Sequence, residues 1–153
     1  MRAILVLICA LTIGGTASAT ELTGDKAAVV SLVRGIMKAW SDNDAKSAMA
    51  HLSPSIVITD SEPPYLFQGP TAVADWMKSF AADSEANGIT APWQTLGKPT
   101  EVEVDGSHAY AAFPAVYGFR QHGKPVRENA MVTVALEKSD ENWSVISWTW
   151  SKR

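Results

Sequence analysis

The chain has 153 residues, 13 Lys and Arg against 16 Asp and Glu, and a formal net charge of −3, which is the size of one ordinary domain with no strong excess of either sign. The charges are scattered singly, so the basic stripe that a nucleic-acid partner requires is missing. With one cysteine, Cys9, no internal disulfide framework can form.

The first residues read as a targeting segment. Arg2, the apolar run Ala3 to Ile13 and the Ala17-Ser18-Ala19 site form a signal peptide over residues 1–19, too short to span a bilayer. Ile8 precedes Cys9 where a lipoprotein signal has a small residue, so no lipid anchor is expected. Cleavage after Ala19 predicts a periplasmic or secreted, cysteine-free product and a single domain over 20–153.

Three helical patterns follow. Val29, Leu32, Val33, Ile36, Met37 and Trp40 recur at helical spacing between Asp25 and Trp40. A second, short helix is predicted after Asp42, which can cap it, with Ala45, Ala48, Met49 and Leu52 on one side and Pro54 closing the pattern. A third opens at Gly69-Pro70 and carries Val73, Trp76, Met77 and Phe80 on one stripe. Between the second and third, Ile56 to Asp60 and Tyr65 to Gln68 read as short strands joined by Ser61-Glu62-Pro63-Pro64.

After a polar loop around Asp83 to Thr90 the pattern changes to long alternating segments, at 93–104, 108–121, 126–138 and 143–152. Asp105-Gly106, His122-Gly123 and Ser139-Asp140-Glu141-Asn142 separate them as hairpin turns, predicting an antiparallel meander. Helices ahead of such strands argue an α+β domain. Period-two alternation puts Phe113, Ala115, Tyr117 and Phe119 on one face, Val132, Val134 and Leu136 on another, and Ile146, Trp148 and Trp150 on a third. If all three point inward they line an apolar cavity suited to a flat ligand. Ala111, Val116, Met131 and Val145 are assigned to the opposite, convex face.

This order of elements resembles the nuclear transport factor 2-like superfamily, which includes ketosteroid isomerases and SnoaL-like proteins. The resemblance implies a cone-shaped, curved antiparallel sheet wrapped around N-terminal helices, a cystatin-like α+β barrel. The ketosteroid isomerases match most closely in spacing, since Asp44, Ile56-Val57-Ile58-Thr59, Asp60, Pro63 and Gly69-Pro70-Thr71 align with their motif without a gap. In that register Asp60 falls on the general base, and Trp40, Trp76, Trp148 and Trp150 fall on positions lining the ligand pocket. The two oxyanion donors of those enzymes are replaced by Ile36 and Val132, and loss of such donors removes orders of magnitude in rate. The superfamily also implies a homodimer formed through the convex face.

Two function classes follow. The first is an exported small-molecule-binding domain with an apolar pocket, in which Trp40, Trp76, Phe113, Tyr117, Phe119, Trp148 and Trp150 contact the ligand. The second is a lyase or isomerase using Asp60 as its base. Bland alternatives stand beside both: Asp60 beside Ser61 also fits a turn-forming aspartate, and the tryptophans also fit core or interface packing. His51, His108 and His122 share no metal-ligand spacing, and no cofactor fingerprint occurs, so no metal and no cofactor are expected.

Overall fold

A computed structural model describes residues 22–42 and 44–153; the expected signal peptide lies outside them. The elements are α1 (Gly24–Ser41), α2 (Ala45–Met49), β1 (Leu52–Thr59), β2 (Leu66–Phe67), α3 (Ala72–Ala86), β3 (Ile89–Leu96), β4 (Glu101–Asp105), β5 (His108–Gln121), β6 (Lys124–Ser139) and β7 (Asn142–Lys152). The strands form one sheet in the order β2-β1-β7-β6-β5-β3, with β4 also paired to β5. The fold is α+β, a curved and unclosed sheet around helices.

The long strands form because one face can be buried: β6 and β7 alternate apolar inner residues with largely polar outer ones, and β5 is apolar on both faces. On β5 the inner positions are Ala109, Ala111, Phe113, Ala115, Tyr117 and Phe119, all buried. β6 pairs with β5 antiparallel along its length, so Val132 lies opposite Phe113 and Val134 opposite Ala111. β4, β5, β6 and β7 form the expected meander. The pairing of β1 with β7 is parallel, which hairpin signals alone could not reveal.

Several local expectations are corrected. The segment 93–104 is two strands: β3 starts at Ile89, ends at Leu96, and is separated from β4 by Gly97 to Thr100. Both lie along the same edge of β5, β4 on its first half and β3 on its second. Helix α3 runs through Asp83 to Ala86, so the polar segment there is the end of the helix, with Asp83 and Ser84 half-buried and Glu85 exposed. Pro54 is inside β1, at an exposed position. Asp42 is the C-cap of α1 and pairs with Lys38, while Asp44 caps α2 by accepting from Ser47 N at 3.0 Å. Ser47, through its side chain first and its backbone N–H second, holds the Asp44 carboxyl below its ordinary pKa, as expected of a carboxylate bonded to a helix N-terminus.

A bulge changes the reading of β7. Leu136 pairs with Val145, but Ala135 pairs with Ser147, leaving Ile146 as the extra residue. Val145 is therefore fully buried on the inner face, in the place that uninterrupted alternation assigns to Ile146. Ala111 is also inward, because it shares parity with Phe113. The outward set on these strands is Pro114, Val116 and Met131, all partly exposed.

Helix α1 lies across the first half of the concave face, with Val29, Val33 and Ile36 buried against it. Polar contacts fix its position: Arg34 Nη2 donates to Gly97 O at 2.7 Å, Lys26 pairs with Glu103 at 3.1 Å, and Asp25 accepts from Lys138 at 3.1 Å and from Trp143 Nε1 at 3.4 Å. Exposed pairs of this kind contribute little each. Burial of the apolar stripe holds the helix, and the polar contacts set its register.

Gly118 on β5 is required by a neighbour. Trp93, its cross-strand partner on β3, lies over it, and an added Cβ would sit 2.1 Å from the indole. Since Trp93 is 44% exposed, its ring can swing into solvent. We expect Gly118→Ala to cost about 1–2 kcal/mol, the range for a modest overpacking, read as a lower denaturation midpoint with red-shifted tryptophan emission.

Candidate functional site

The site is built around the turn after β1. Ile56 and Ile58 are buried inward, and Asp60 continues their parity beyond the strand end. The backbone closes around it: Asp60 N donates to Tyr65 O at 3.1 Å and Tyr65 N to Glu62 O at 2.9 Å. Ser79 of α3 donates from Oγ to Pro63 O at 2.8 Å, tying the turn to that helix. The two Asp60 oxygens then divide their work. Oδ1 accepts from Glu62 N at 3.3 Å and Ser61 Oγ at 3.4 Å, as in an Asx turn, while Oδ2 accepts from Trp76 Nε1 at 2.8 Å. The turn role and a position at the site coexist in one residue.

A cavity of about 570 Å³ opens beside this carboxylate. Trp40 from α1 and Trp76 from α3 meet edge to face above it, 5.7 Å between centroids at 82°. Tyr117 is the hub of the opposite wall, with Phe119 at 4.9 Å, Phe80 at 6.0 Å and Trp150 at 6.3 Å. Trp148 completes the lining from β7. Such contacts fix ring orientations and add to the area they bury.

Six of the seven aromatic residues proposed from the sequence as ligand contacts thus line one cavity together with Asp60. Phe113 does not: it is 0% exposed, in the half of the concave face that α1 covers. Sharing the parity of Tyr117 put it on the inner face, but only the placement of the helix decides whether an inner position is core or cavity. Ile36 and Val132 are buried and do not line the cavity, so those two positions offer no hydrogen-bond donor there.

Four charged cavity residues, Glu62, Asp83, Glu128 and Lys152, were missed by the sequence reading. The signal was present for three of them. Glu128 lies opposite Tyr117 and extends the inward series Val132, Ala130 back along β6, and Lys152 follows Trp148 and Trp150 by the same period. Asp83 continues the stripe of Trp76 and Phe80 on α3. Lys152 bonds Glu62 and lies 3.8 Å from Glu128; the Glu62 bond holds its ammonium above the ordinary lysine pKa.

Tyr117 has a polar group without a partner. It is 8% exposed, and its hydroxyl is bonded to nothing among the described residues. Burial, followed by the charges of Glu128, Asp83, Asp60 and Glu62, raises its pKa from 10.0 to about 12. At neutral pH it is an un-ionised phenol able to donate or accept.

The sequence profile described as SnoaL-like domain matches residues 29–152. No curated protein sequence matches the chain. Among solved structures, a hexachlorocyclohexane dehydrochlorinase from Novosphingobium barchaimii superposes with a TM-score of 0.71 at 11% identity, covering 84% of this chain and 86% of the other. The CaMKII hub of S. rosetta gives a TM-score of 0.69 at 18% identity, covering 87% and 100%. A nuclear transport factor 2-like protein with a cystatin-like fold from Novosphingobium aromaticivorans gives 0.66 at 15% identity, covering 84% and 81%. At these identities the likeness establishes the fold.

The raised Tyr117 pKa has a consequence for stability. Between pH 10 and about 12 the folded protein keeps a proton that the unfolded chain has lost, so this contribution is complete below pH 10 and disappears as pH rises toward 12. Urea denaturation at about pH 9 and about pH 11 is expected to show a steeper decline for the natural protein than for Tyr117→Phe.

Proposed function

Because the chain belongs to the SnoaL-like family of the nuclear transport factor 2-like superfamily, a fold that commonly holds small molecules, we propose that it binds a small, flat, largely apolar ligand. The observation that carries this reading is the cavity of about 570 Å³ walled by Trp40, Trp76, Tyr117, Phe119, Trp148 and Trp150. Its size is within the range of small-molecule sites, and aromatic walls with a few convergent polar groups are their usual lining. Stacking against the rings supplies affinity, and Asp60 and Tyr117 orient the ligand.

A second reading is catalytic, and the position of Asp60 supports it. Its carboxylate is on the cavity wall, held by Trp76 and by the turn, and it retains acceptor capacity for a substrate proton. In this reading the domain is a lyase or isomerase with Asp60 as base and the Tyr117 hydroxyl as the nearby neutral donor. Asp60→Asn keeps the fold, since the amide oxygen can still accept from Trp76, and abolishes turnover. Unchanged turnover in that variant removes the catalytic reading and leaves binding.

We also propose that the protein is exported, with cleavage after Ala19, and that it forms a homodimer through the convex sheet face around Pro114, Val116 and Met131. The partly exposed apolar residues there support that surface. Among the described residues no helix is long and apolar enough to cross a membrane.

Native mass spectrometry of the exported protein tests these points together. The expected spectrum is a dimer of chains beginning at Thr20, carrying a small-molecule adduct that is lost on collisional activation. A chain retaining Cys9 overturns the processing, and a monomer at micromolar concentration overturns the dimer. Failure of the protein to take up any aromatic compound in titration overturns the binding reading.

A further inference from the structure

The cavity has a charge that its apolar walls do not require. Among the described residues Asp60, Glu62, Asp83 and Glu128 all line it, and Lys152 is the only basic residue that does, a formal charge of −3. Lys152 is already engaged with Glu62 and Glu128. The carboxylates come from three different places, two in the turn after β1, one on α3 and one on β6, so no single local motif accounts for their convergence.

Solvated surface charge is the ordinary explanation for acidic residues, and two observations argue beyond it. Glu62 and Glu128 have side chains only 33% and 30% exposed, and Glu128 occupies an inward position directly across from Tyr117 in the β5–β6 ladder. Tyr117 itself, more than nine-tenths buried in the cavity wall, has a hydroxyl that is left without a partner among the described residues. All four carboxylates line the same cavity as this phenol and, after its burial, add to the raising of its pKa.

A metal ion does not fit this arrangement. Among the described residues no group of three His, Cys, Asp or Glu side chains is placed to hold one; the carboxylates surround the cavity and do not converge on a point. A wider cation fits better. Ring faces attract positive charge through their quadrupoles, and the attraction is strongest for Trp. Removal of water from the cavity by a ligand strengthens every charge interaction inside it.

We propose that the cavity selects a ring-bearing organic amine in its protonated form, its apolar body stacked between the tryptophans and its ammonium directed toward Glu128 and Asp83. The ammonium would supply the Tyr117 oxygen with the hydrogen-bond partner it lacks. An anion of the same shape meets like charge, and a neutral isostere gains stacking only. This inference rests on the ligand-binding reading above and specifies the class of ligand.

The test is calorimetric titration of the purified protein with three naphthalenes of matched shape: 2-naphthylmethylamine, 2-naphthalenemethanol and 2-naphthoate. The amine is expected to bind about tenfold more tightly than the alcohol, the order expected for a partly desolvated cation facing aromatic rings and carboxylates, and the carboxylate more weakly than both. In a double variant, Asp83→Asn with Glu128→Gln, the amine's advantage should shrink while the alcohol's affinity holds. If the alcohol or the carboxylate equals or exceeds the amine, the charge selection is wrong and the ligand-binding reading stands. If the double variant keeps the full amine preference, the assignment to these carboxylates is wrong. If none of the three binds, both readings fall.

Discussion

The seating of α1 on one half of a concave sheet is the constraint from which the rest of the molecule follows. An 18-residue helix is roughly 27 Å long at 1.5 Å per residue, and its buried stripe of Val29, Val33, Ile36 and Met37 faces the inner residues of the sheet. Where the helix lies, inward residues such as Phe113 and Ala111 are core. Beyond it, the same strands present Tyr117, Phe119, Trp148 and Trp150 to a volume that none of the described elements fills. The contacts at Asp25, Lys26 and Arg34 matter for that reason, since a shift of the helix along the sheet would move the boundary between core and cavity.

The second organising feature is the turn from Asp60 to Tyr65. It is held from both sides, by its own backbone and by Ser79 and Trp76 of α3. One indole N–H couples the helix to the carboxylate, so the position of Asp60 depends on the packing of α3 as well as on β1. That coupling gives a rigid anion at the edge of an apolar space, which solvent screens less than a surface charge.

The cavity joins two kinds of lining that are usually kept apart, a ring of aromatic faces and a set of carboxylates with one ammonium among them. Lys152 is drawn to Glu62 and Glu128 and offsets part of this charge, while Asp60 is stabilised by N–H and O–H donors. The aromatic rings fix the shape of the space and the charges fix its sign. Tyr117, a buried phenol with no partner among the described residues, lies where the two meet.

Local chemistry was sufficient to read much of this from the sequence. Helical periodicity located α1 and α3, alternation located β5 through β7, and the Ile56 to Asp60 run located the carboxylate, because each of these patterns depends only on residues a few positions apart. The inner parity of Trp148 and Trp150 and of Val132 to Leu136 was equally local. The tertiary structure decided what depends on distant partners. A bulge opposite Ala135 and Leu136 exchanged the roles of Val145 and Ile146, and the parallel β1–β7 pairing joined segments about ninety residues apart. Coverage by α1 made Phe113 core while leaving Tyr117 at the cavity. The carboxylates illustrate the limit most plainly: Asp60 and Glu128 follow from strand parity, but the meeting of Asp60, Glu62, Asp83 and Glu128 at one cavity depends on how the turn after β1, α3 and β6 pack, and no local periodicity records that.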